Sequence, residues 1–317
     1  MKTTVNIKSL FLVGLCTVLL SACATTAHNS DKQFTELAQQ LWQAQQELNE
    51  TAPGELTDMS PQALEQRHQQ RLGWQARLQQ VDVKALSEQN QINHAILAYR
   101  LADQIDEYRY GAHLMPLTSE SGFHTNLGFM VQRGSFKTLA DYQHYLQKLA
   151  AIPRYMQQQT DWMKQGLAKG LTQPKAVLKG FEQSIISYIT QDPTQSVFYQ
   201  PFKRKPAFIS DTEWQQLSMQ AVEQITQAVN PAYQAFYDFM VNEYLPGARD
   251  TIAASALPDG AAFYQNRLEH YTTLKLTPAA VHQIGLTEVA RIRSEMEQVI
   301  RQTGFTGSFA DFVQFLR

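Results

Sequence analysis

Apolar residues recur along this chain at steps of three and four positions, which is the period of an amphipathic α-helix. The pattern is clear in segments that begin near residues 30, 87, 138, 210 and 277. No stretch alternates apolar and polar residues for long, and no Asn-Gly or Asp-Gly turn joins two β-branched runs. The pattern therefore predicts an all-α fold. Its apolar positions include Phe34, Leu37, Leu41, Ile96, Leu101, Ile105, Ile185, Val289, Ile292, Met296 and Val299.

Residues that begin and end helices divide the pattern into elements. Ser60–Pro61 and Thr277–Pro278 each place a capping hydroxyl before a proline at the first helical position. Pro174 is predicted to begin another helix, Pro231 to interrupt a long one, and Gly304 to follow the last long one as a left-handed C′ residue. Three pairs have capping-box spacing. They are Ser30 with Gln33, Thr138 with Asp141, and Ser210 with Glu213.

Two stretches lack the helical period, Leu114–Phe136 and Gln191–Ile209. Connections of about twenty residues usually carry function or pack as ordered loops. We detect no short internal repeat. The sequence therefore predicts one large helical domain over residues 31–317 that includes two long irregular connections.

The first residues predict a lipoprotein signal peptide over residues 1–22. Lys2 and Lys8 precede the apolar run Leu10–Leu20, which is too short to span a bilayer but suits a secretory signal. The run ends in Leu20–Cys23, which resembles the bacterial lipobox. That resemblance implies cleavage before Cys23 and lipidation of its sulfur and amino groups. An ordinary signal peptide with an incidental cysteine is the alternative.

Lipidation would anchor the chain to a membrane, because several acyl chains together bind a bilayer stably. Residues 23–30 are small and polar and are predicted to form a tether. Ala24 follows the cysteine where Gram-negative lipoproteins kept at the inner membrane usually have Asp. We therefore expect an extracytoplasmic protein that is anchored to the outer membrane and faces the periplasm. Its partner is the membrane, which it contacts through the lipid anchor.

Charge and cysteine content exclude several classes of protein. The formal net charge of the 317 residues is -2, so no overall field favours nucleic acid. Cys16 and Cys23 are the two cysteines, and both precede the helical segments. A disulfide framework, a cysteine zinc site and a cysteine nucleophile are therefore excluded after residue 23. The densest basic run, Lys203–Lys205, is predicted to be a solvated turn, with a phosphate site as the alternative.

The eight histidines do not form a recognisable catalytic motif. None is followed by Glu, so the zinc motif H-E-x-x-H is absent, and the G-x-S-x-G elbow is absent too. His113 and His124 lie in one irregular stretch with Glu120 between them, which leaves a loop metal site open beside ordinary hydrogen bonding. His282 and Glu288 are on different faces of one helix, and Glu288 is expected to pair with Arg291. We assign no catalytic and no metal-binding residue.

Four segments of the chain carry a family resemblance in combination. The first runs from Leu86–Asn90 to Arg109–Tyr110, and the second runs from Tyr142 through Pro153 and Tyr155 to Pro174. The third is Pro193–Phe202, and the fourth runs from Gly260 through His270–Thr273 and Leu276–Pro278 to His282–Leu286. Together these segments resemble the bacterial DUF885 family (domain of unknown function) from about Leu86 onward, and the region before Leu86 matches least.

The resemblance implies a helical zinc metallopeptidase of the H-E-x-x-H class, which hydrolyses peptides in a deep cleft. In such an enzyme two histidines and a carboxylate hold zinc while the motif glutamate acts as general base. In family members the motif lies beyond the segment that matches His282, and this chain ends at Phe309–Arg317 within an apolar stripe. We therefore expect an incomplete domain, truncated at the C-terminus, without a zinc ligand or cofactor of its own.

Two functions stay open. The chain is either the N-terminal part of a lipid-anchored, zinc-metallopeptidase-like protein, with peptide as a partner of the full-length form, or a non-enzymatic lipoprotein that acts as a binding or scaffold module. As given, the chain is expected not to hydrolyse peptides, because the H-E-x-x-H motif is absent from it.

Overall fold

The structure, a computed structural model, describes residues 29–48 and 51–317. These residues form helices and turns, and within the two ranges no β-strand occurs beyond isolated bridges between Leu117 and Gly122 and between Pro174 and Arg249. The all-α prediction is confirmed. The predicted signal peptide, Cys23 and tether residues 23–28 lie outside the described residues. Residues 29 and 30 are helical.

The described residues group into two compact units, one ending at Ile252 and the other covering Ala253–Arg317. The α-helices of the first unit are α1 (residues 29–48), α2 (Pro61–Gln79), α3 (Glu88–Arg109), α4 (Phe123–Gly128), α5 (Met130–Arg133), α6 (Leu139–Ala168), α7 (Gln183–Ile186), α8 (Asp211–Gln224), α9 (Asn230–Phe239) and α10 (Leu245–Gly247). Short 3₁₀ turns lie between them at Val83–Ala85, Ala112–Leu114, Lys175–Val177, Pro193–Gln195 and Val197–Phe202.

Helix α6 is the longest α-helix among the described residues of the first unit, and it is the central support of that unit. The Thr138 hydroxyl accepts from the Asp141 N–H, while the Asp141 carboxylate accepts from the Thr138 N–H at 2.8 Å, as the capping-box spacing predicts. Buried residues then follow at helical steps, so that one face packs along most of the length. They are Tyr142, Tyr145, Leu146, Leu149, Ile152, Met156, Gln159, Thr160, Met163 and Gly166.

The main hydrophobic core joins this face of α6 to α4, α7, the 3₁₀ turn Val197–Phe202 and the helical run that begins at α8. A second cluster holds α1, α2 and α3 together, with Phe34, Leu78 and Leu101 at its centre. A third and smaller cluster joins Leu64 of α2 to Trp162 of α6. The first unit therefore has a packed core that can hold the side chains above it in fixed positions.

One continuous helical run extends from Asp211 to Gly247, and two π-helical segments interrupt its α-helical hydrogen bonding. In Ile225–Val229 the N–H of Asn230 donates to the carbonyl of Ile225, five residues earlier, and in Met240–Tyr244 the N–H of Leu245 donates to Met240. A proline follows the end of each segment by two residues, at positions 231 and 246. A proline has no N–H and clashes with the carbonyl four residues before it, and the wider turn relieves both problems. The predicted interruption at Pro231 is thus a π segment within a helix that continues.

Three sequence-based expectations about local structure were wrong. The segment after Pro174 is a 3₁₀ turn followed by the four-residue helix α7, because Gly180 has a left-handed φ of 79° that ends any helical run there. The stretch Leu114–Phe136 contains α4 and α5. Ser30 lies inside α1 and therefore is not its N-cap.

The second unit contains α11 (Gly260–Thr272), α12 (Pro278–Gln302) and α13 (Phe309–Phe315). The Thr277 hydroxyl accepts from the Ala280 N–H at the start of α12, and Gly304 follows its end with φ 77°, as predicted. The predicted apolar stripe of α12 is largely in solvent, with Val289 67% exposed. Its charged side chains pair along the helix, and Arg291 Nη2 lies 2.7 Å from Glu288 Oε2, which confirms that prediction.

Candidate functional site

A groove of about 550 Å³ lies in the first unit between α6 and the helical run that contains α9. One wall is a single face of α6, since its residues are three or four positions apart, and the other wall comes from both π segments and α9. The α6 wall consists of Pro153, Met156, Gln157, Thr160 and Lys164. The opposite wall consists of Gln227, Ala228, Pro231, Ala232, Ala235, Phe236, Asp238, Phe239, Asn242 and Glu243.

The floor of the groove is apolar and rigid, whereas its rim is polar. Met156, Phe236 and Phe239 are almost fully buried beneath it, because they belong to the main core. Gln157 and Gln227 are exposed on opposite walls. Small cavities of this kind, with an apolar base and a few placed polar groups, are the usual form of ligand sites.

The two walls carry opposite charges. Lys164 on α6 extends over the ring of Phe239, with its Nζ 5.5 Å from the ring centroid. Asp238 and Glu243 lie on the facing wall, and Asp238 Oδ1 accepts from Gln234 Nε2 at 2.9 Å. Within the described ranges neither Lys164 nor Glu243 forms an ion pair. Both charges are therefore available to a ligand along the groove.

The prolines that produce the π segments also shape the groove. In an α-helix the carbonyls of Gln227 and Asn242 would accept hydrogen bonds from the N–H groups of residues 231 and 246. Both of these residues are prolines and have no N–H to donate. Gln227 and Asn242 are both exposed lining residues. Because π segments inside helices are frequent at functional sites, this geometry favours the groove over other surfaces of the unit.

The groove carries several polar groups. Its lining has carboxamides on both walls, one cation and two carboxylates, but no histidine, serine or cysteine. The carboxamides of Gln157, Gln227 and Asn242 can each donate and accept hydrogen bonds, as peptide groups do. The groove thus suits an extended chain that presents amides and charges of both signs.

His113 does not lie in the groove. Its ring stacks on Tyr108 with 4.8 Å between centroids and meets Trp162 edge-on at 4.7 Å. His68 also stacks on Tyr108, with 4.3 Å between the ring centroids. Burial, with a smaller contribution from Lys169, lowers the pKa of His113 to about 4. A neutral ring in an aromatic stack is a packing element.

His124 is fully buried in the main core at α4. Ser184 Oγ donates to the Phe181 carbonyl at 2.7 Å, so the 2.9 Å contact between His124 Nε2 and Ser184 Oγ requires Nε2–H as donor. Tyr233 in turn donates to the His124 carbonyl at 2.6 Å. Burial lowers the pKa of His124 to about 4, which keeps the ring neutral.

The structure does not bring the open metal candidates together. The rings of His113 and His124 contact different neighbours, and Glu120 is exposed in the turn closed by the Thr118 N–H and the Ser121 carbonyl. The basic run Lys203–Lys205 is also exposed, and Lys205 Nζ is held by the Ile209 carbonyl and by Asp211 at 2.6 Å.

The groove could not be predicted from the sequence, because its walls are about seventy residues apart in the chain and carry no motif. The available signal was a pair of prolines, 231 and 246, inside one helical pattern. Such prolines indicate a local change of helix geometry, and the residues four positions before them line the site.

The comparisons with known proteins agree with this all-α architecture. The family described as "Bacterial protein of unknown function (DUF885)" matches residues 42–317. The chain therefore belongs to the DUF885 family, as its sequence resemblance predicted. No curated protein matches the chain in sequence.

The chain is also similar to a crystal structure described as "the putative lipoprotein from Colwellia psychrerythraea", with a TM-score of 0.71 and 18% sequence identity. The match covers 90% of this chain and 52% of that one, so the chain spans about half the length of the Colwellia protein. At this identity the likeness shows the fold. Among the described residues, no helix has both the length and the apolar character needed to cross a membrane.

Proposed function

We propose that this chain is the peptide-binding helical part of a lipid-anchored, zinc-metallopeptidase-like DUF885 protein. The observation that carries the proposal is the groove between α6 and α9, with carboxamides on both walls and opposite charges at its rim. The family resemblance supplies the substrate class, a peptide. The similarity to a protein about twice as long is compatible with a contribution from a further segment.

Peptide binding is tested by removing the free charges of the groove. Changing Lys164→Met together with Glu243→Gln is expected to weaken binding of a mixed-sequence decapeptide at least tenfold. Each charge-assisted hydrogen bond contributes about 1.5–3 kcal/mol, and tenfold corresponds to about 1.4 kcal/mol. The measurement is isothermal titration of the full chain at low ionic strength.

The matched control for this test is Lys32→Met with Glu36→Gln, an exposed pair of the same charges on α1. The control is expected to bind as tightly as the unchanged chain. An equal loss of affinity in both variants would show that the effect is nonspecific electrostatics. An unchanged affinity in the Lys164 and Glu243 variant would show that the groove does not bind the peptide.

Zinc chemistry is implied by the resemblance, and the histidines of α4 and of the turn Ala112–Leu114 do not fit such a site. The His113 ring lies between Tyr108 and Trp162, and His124 uses Nε2–H to bond Ser184 inside the core. Their rings would have to leave these positions to approach a common ion. These residues therefore support no step of hydrolysis, and we propose that this chain binds peptide without cleaving it. Chelator-sensitive cleavage by the full chain would contradict that.

The alternative is a non-enzymatic binding or scaffold module on the membrane. Both functions use the same groove, and they differ in what the whole protein does with a bound peptide. A full-length protein that binds the decapeptide through the groove and leaves it intact would favour the module.

We also propose that Cys23 anchors the chain to the outer membrane on its periplasmic side. The support is the sequence Leu20–Cys23 after an apolar run, and Ala24 behind it. Replacing Cys23 with Ser is expected to move the protein from the membrane fraction to the soluble fraction and to abolish labelling with a radioactive fatty acid, because a thiol is needed for the thioether bond.

A Cys16→Ser variant, which removes the other cysteine of the signal region, serves as the control and should stay labelled and membrane-bound. Labelling that survives the change at position 23 would show that the lipidated residue lies elsewhere.

A further inference from the structure

A second cavity of the first unit, about 320 Å³ in volume, lies between the segment 126–136 and the first third of α6. Residues of the turn at Pro53–Gly54 complete its wall. It shares no lining residue with the groove between α6 and α9. Its volume is near the lower limit of about 300 Å³ for small-molecule sites, so it suits a small molecule rather than a long peptide.

Three basic side chains converge on this cavity from two elements. Arg133 comes from α5, whereas His144 and Lys148 are one helical turn apart on α6 and so share a face. Within the described part of the chain neither Arg133 nor Lys148 forms an ion pair; Arg133 lies over the ring of Phe129 at 5.6 Å. Arg133 and Lys148 therefore bring to the cavity two positive charges that have no ion-pair partner among the described residues.

The one acidic residue in the lining, Asp141, is already engaged by the backbone. Its Oδ2 accepts the N–H groups of Lys137 and Thr138, both at 2.8 Å, as part of the cap of α6. These two bonds are the main reason why the pKa of Asp141 lies below its usual value, and His144 contributes to the same shift. Asp141 reduces the positive field, but the orientation of its carboxylate is fixed by the cap.

Part of the remaining wall is apolar and rigid, whereas Asn126 and Ser135 add polar groups to the lining. Met130 and Phe136 are partly buried against the core, and the Phe136 ring packs on Tyr145 with 5.3 Å between centroids. The Tyr145 hydroxyl donates to the Phe198 carbonyl at 2.9 Å, which fixes this ring and leaves its side to line the cavity. A bound molecule thus meets both cations and aromatic surface.

We propose that this cavity binds a small organic carboxylate with an apolar or aromatic body, such as an N-acylated amino acid. The guanidinium of Arg133 can hold a carboxylate through two parallel hydrogen bonds, and Lys148 adds a second charge. The body of the ligand covers Met130, Phe136 and Tyr145. Inorganic phosphate satisfies the cations but leaves the apolar wall in water, so the cavity prefers the organic anion.

The test is isothermal titration of the full chain with N-benzoylglycine, with its neutral amide and with inorganic phosphate as separate probes. N-benzoylglycine is expected to bind at least tenfold more tightly than either of the others. Changing Arg133→Met together with Lys148→Met should weaken its binding at least tenfold, because both cations that face the carboxylate are removed.

The control variant Lys203→Met with Arg204→Met removes the same charge from an exposed turn and should bind N-benzoylglycine normally. Circular dichroism and thermal unfolding verify that both variants fold. Three results would overturn the proposal: no binding of N-benzoylglycine to the unchanged chain, equal binding of the neutral amide or phosphate, or unchanged binding by the Arg133 and Lys148 variant. None of these three results bears on peptide binding in the groove between α6 and α9, so each proposal can fail without the other.

Discussion

Replacing Gly166 with alanine is expected to lower the free energy of unfolding by about 2–3 kcal/mol. Gly166 is buried near the end of α6, where the 3₁₀ turn Ala112–Leu114 crosses it. A Cβ at this position would lie 2.5 Å from the carbonyl oxygen of Leu114 and 2.8 Å from that of Leu171. Both are backbone atoms and cannot turn away, so the chain itself has to move.

Gly73 provides the matched control, since it lies inside α2 and a Cβ there meets nothing within 4 Å. Alanine at position 73 is expected to raise stability by about 0.5–1 kcal/mol, because it loses less backbone freedom than glycine on folding. Urea unfolding of both variants gives the comparison. A Gly166→Ala protein as stable as the unchanged chain would show that α6 and the turn do not approach so closely.

Acid is expected to destabilise the first unit through its buried histidine His124. The pKa of His124 is about 4 in the folded chain, against 6.5 for an exposed histidine. The unfolded chain therefore binds the proton first, and stability is lost as the pH falls from about 6.5 to 4. The full shift corresponds to about 3 kcal/mol. His113 acts in the same direction.

The measurement is the free energy of unfolding in urea between pH 7 and pH 4.5. His124→Gln should reduce the slope of stability against pH in this window, whatever its effect on stability at pH 7, because one titrating group is gone. His282→Gln, which makes the same change of side chain on α12 outside the first unit, is measured beside it. A slope that is the same in the His124 variant would mean that this ring takes up a proton in the folded protein.

Local capping chemistry made much of the helical architecture predictable. Thr138 with Asp141 and Thr277 with Pro278 fix helix starts through bonds within a few residues, and Gly304 fixes an end by its left-handed backbone. These signals depend on nearest neighbours, so they can be seen in sequence without knowing what the helix packs against.

Elements determined by distant contacts were not predictable in the same way. Pro174 looks like a helix start in the sequence. In the structure, however, the Lys175 N–H donates to the Arg249 carbonyl at 2.9 Å, and this long-range hydrogen bond holds the segment in a conformation other than an α-helix. The apolar residues of Val197–Phe202 have no helical stripe, yet Phe198 and Phe202 are buried in the main core. Apolar content there indicated burial without indicating the backbone conformation.

The candidate sites are harder still to see in the sequence, because both are made by packing. Lys164 and Glu243 both line the groove, and Arg133 and Lys148 both line the second cavity. The sequence spacing between the members of each pair matches no known motif. The histidines were visible as candidates in the sequence, but the structure uses two of them in packing. His113 is half-buried in an aromatic stack, and His124 is buried in the main core beside Phe236.

The most direct test of the proposed peptide groove is hydrogen exchange of the full chain with and without the decapeptide. We expect slower exchange of amides in residues 153–164 of α6 and 227–243 of the facing run, where the peptide would lie, and no change in α2. Slower exchange confined to other parts of the chain, or none under conditions where titration shows binding, would contradict the assignment of the groove as the peptide site.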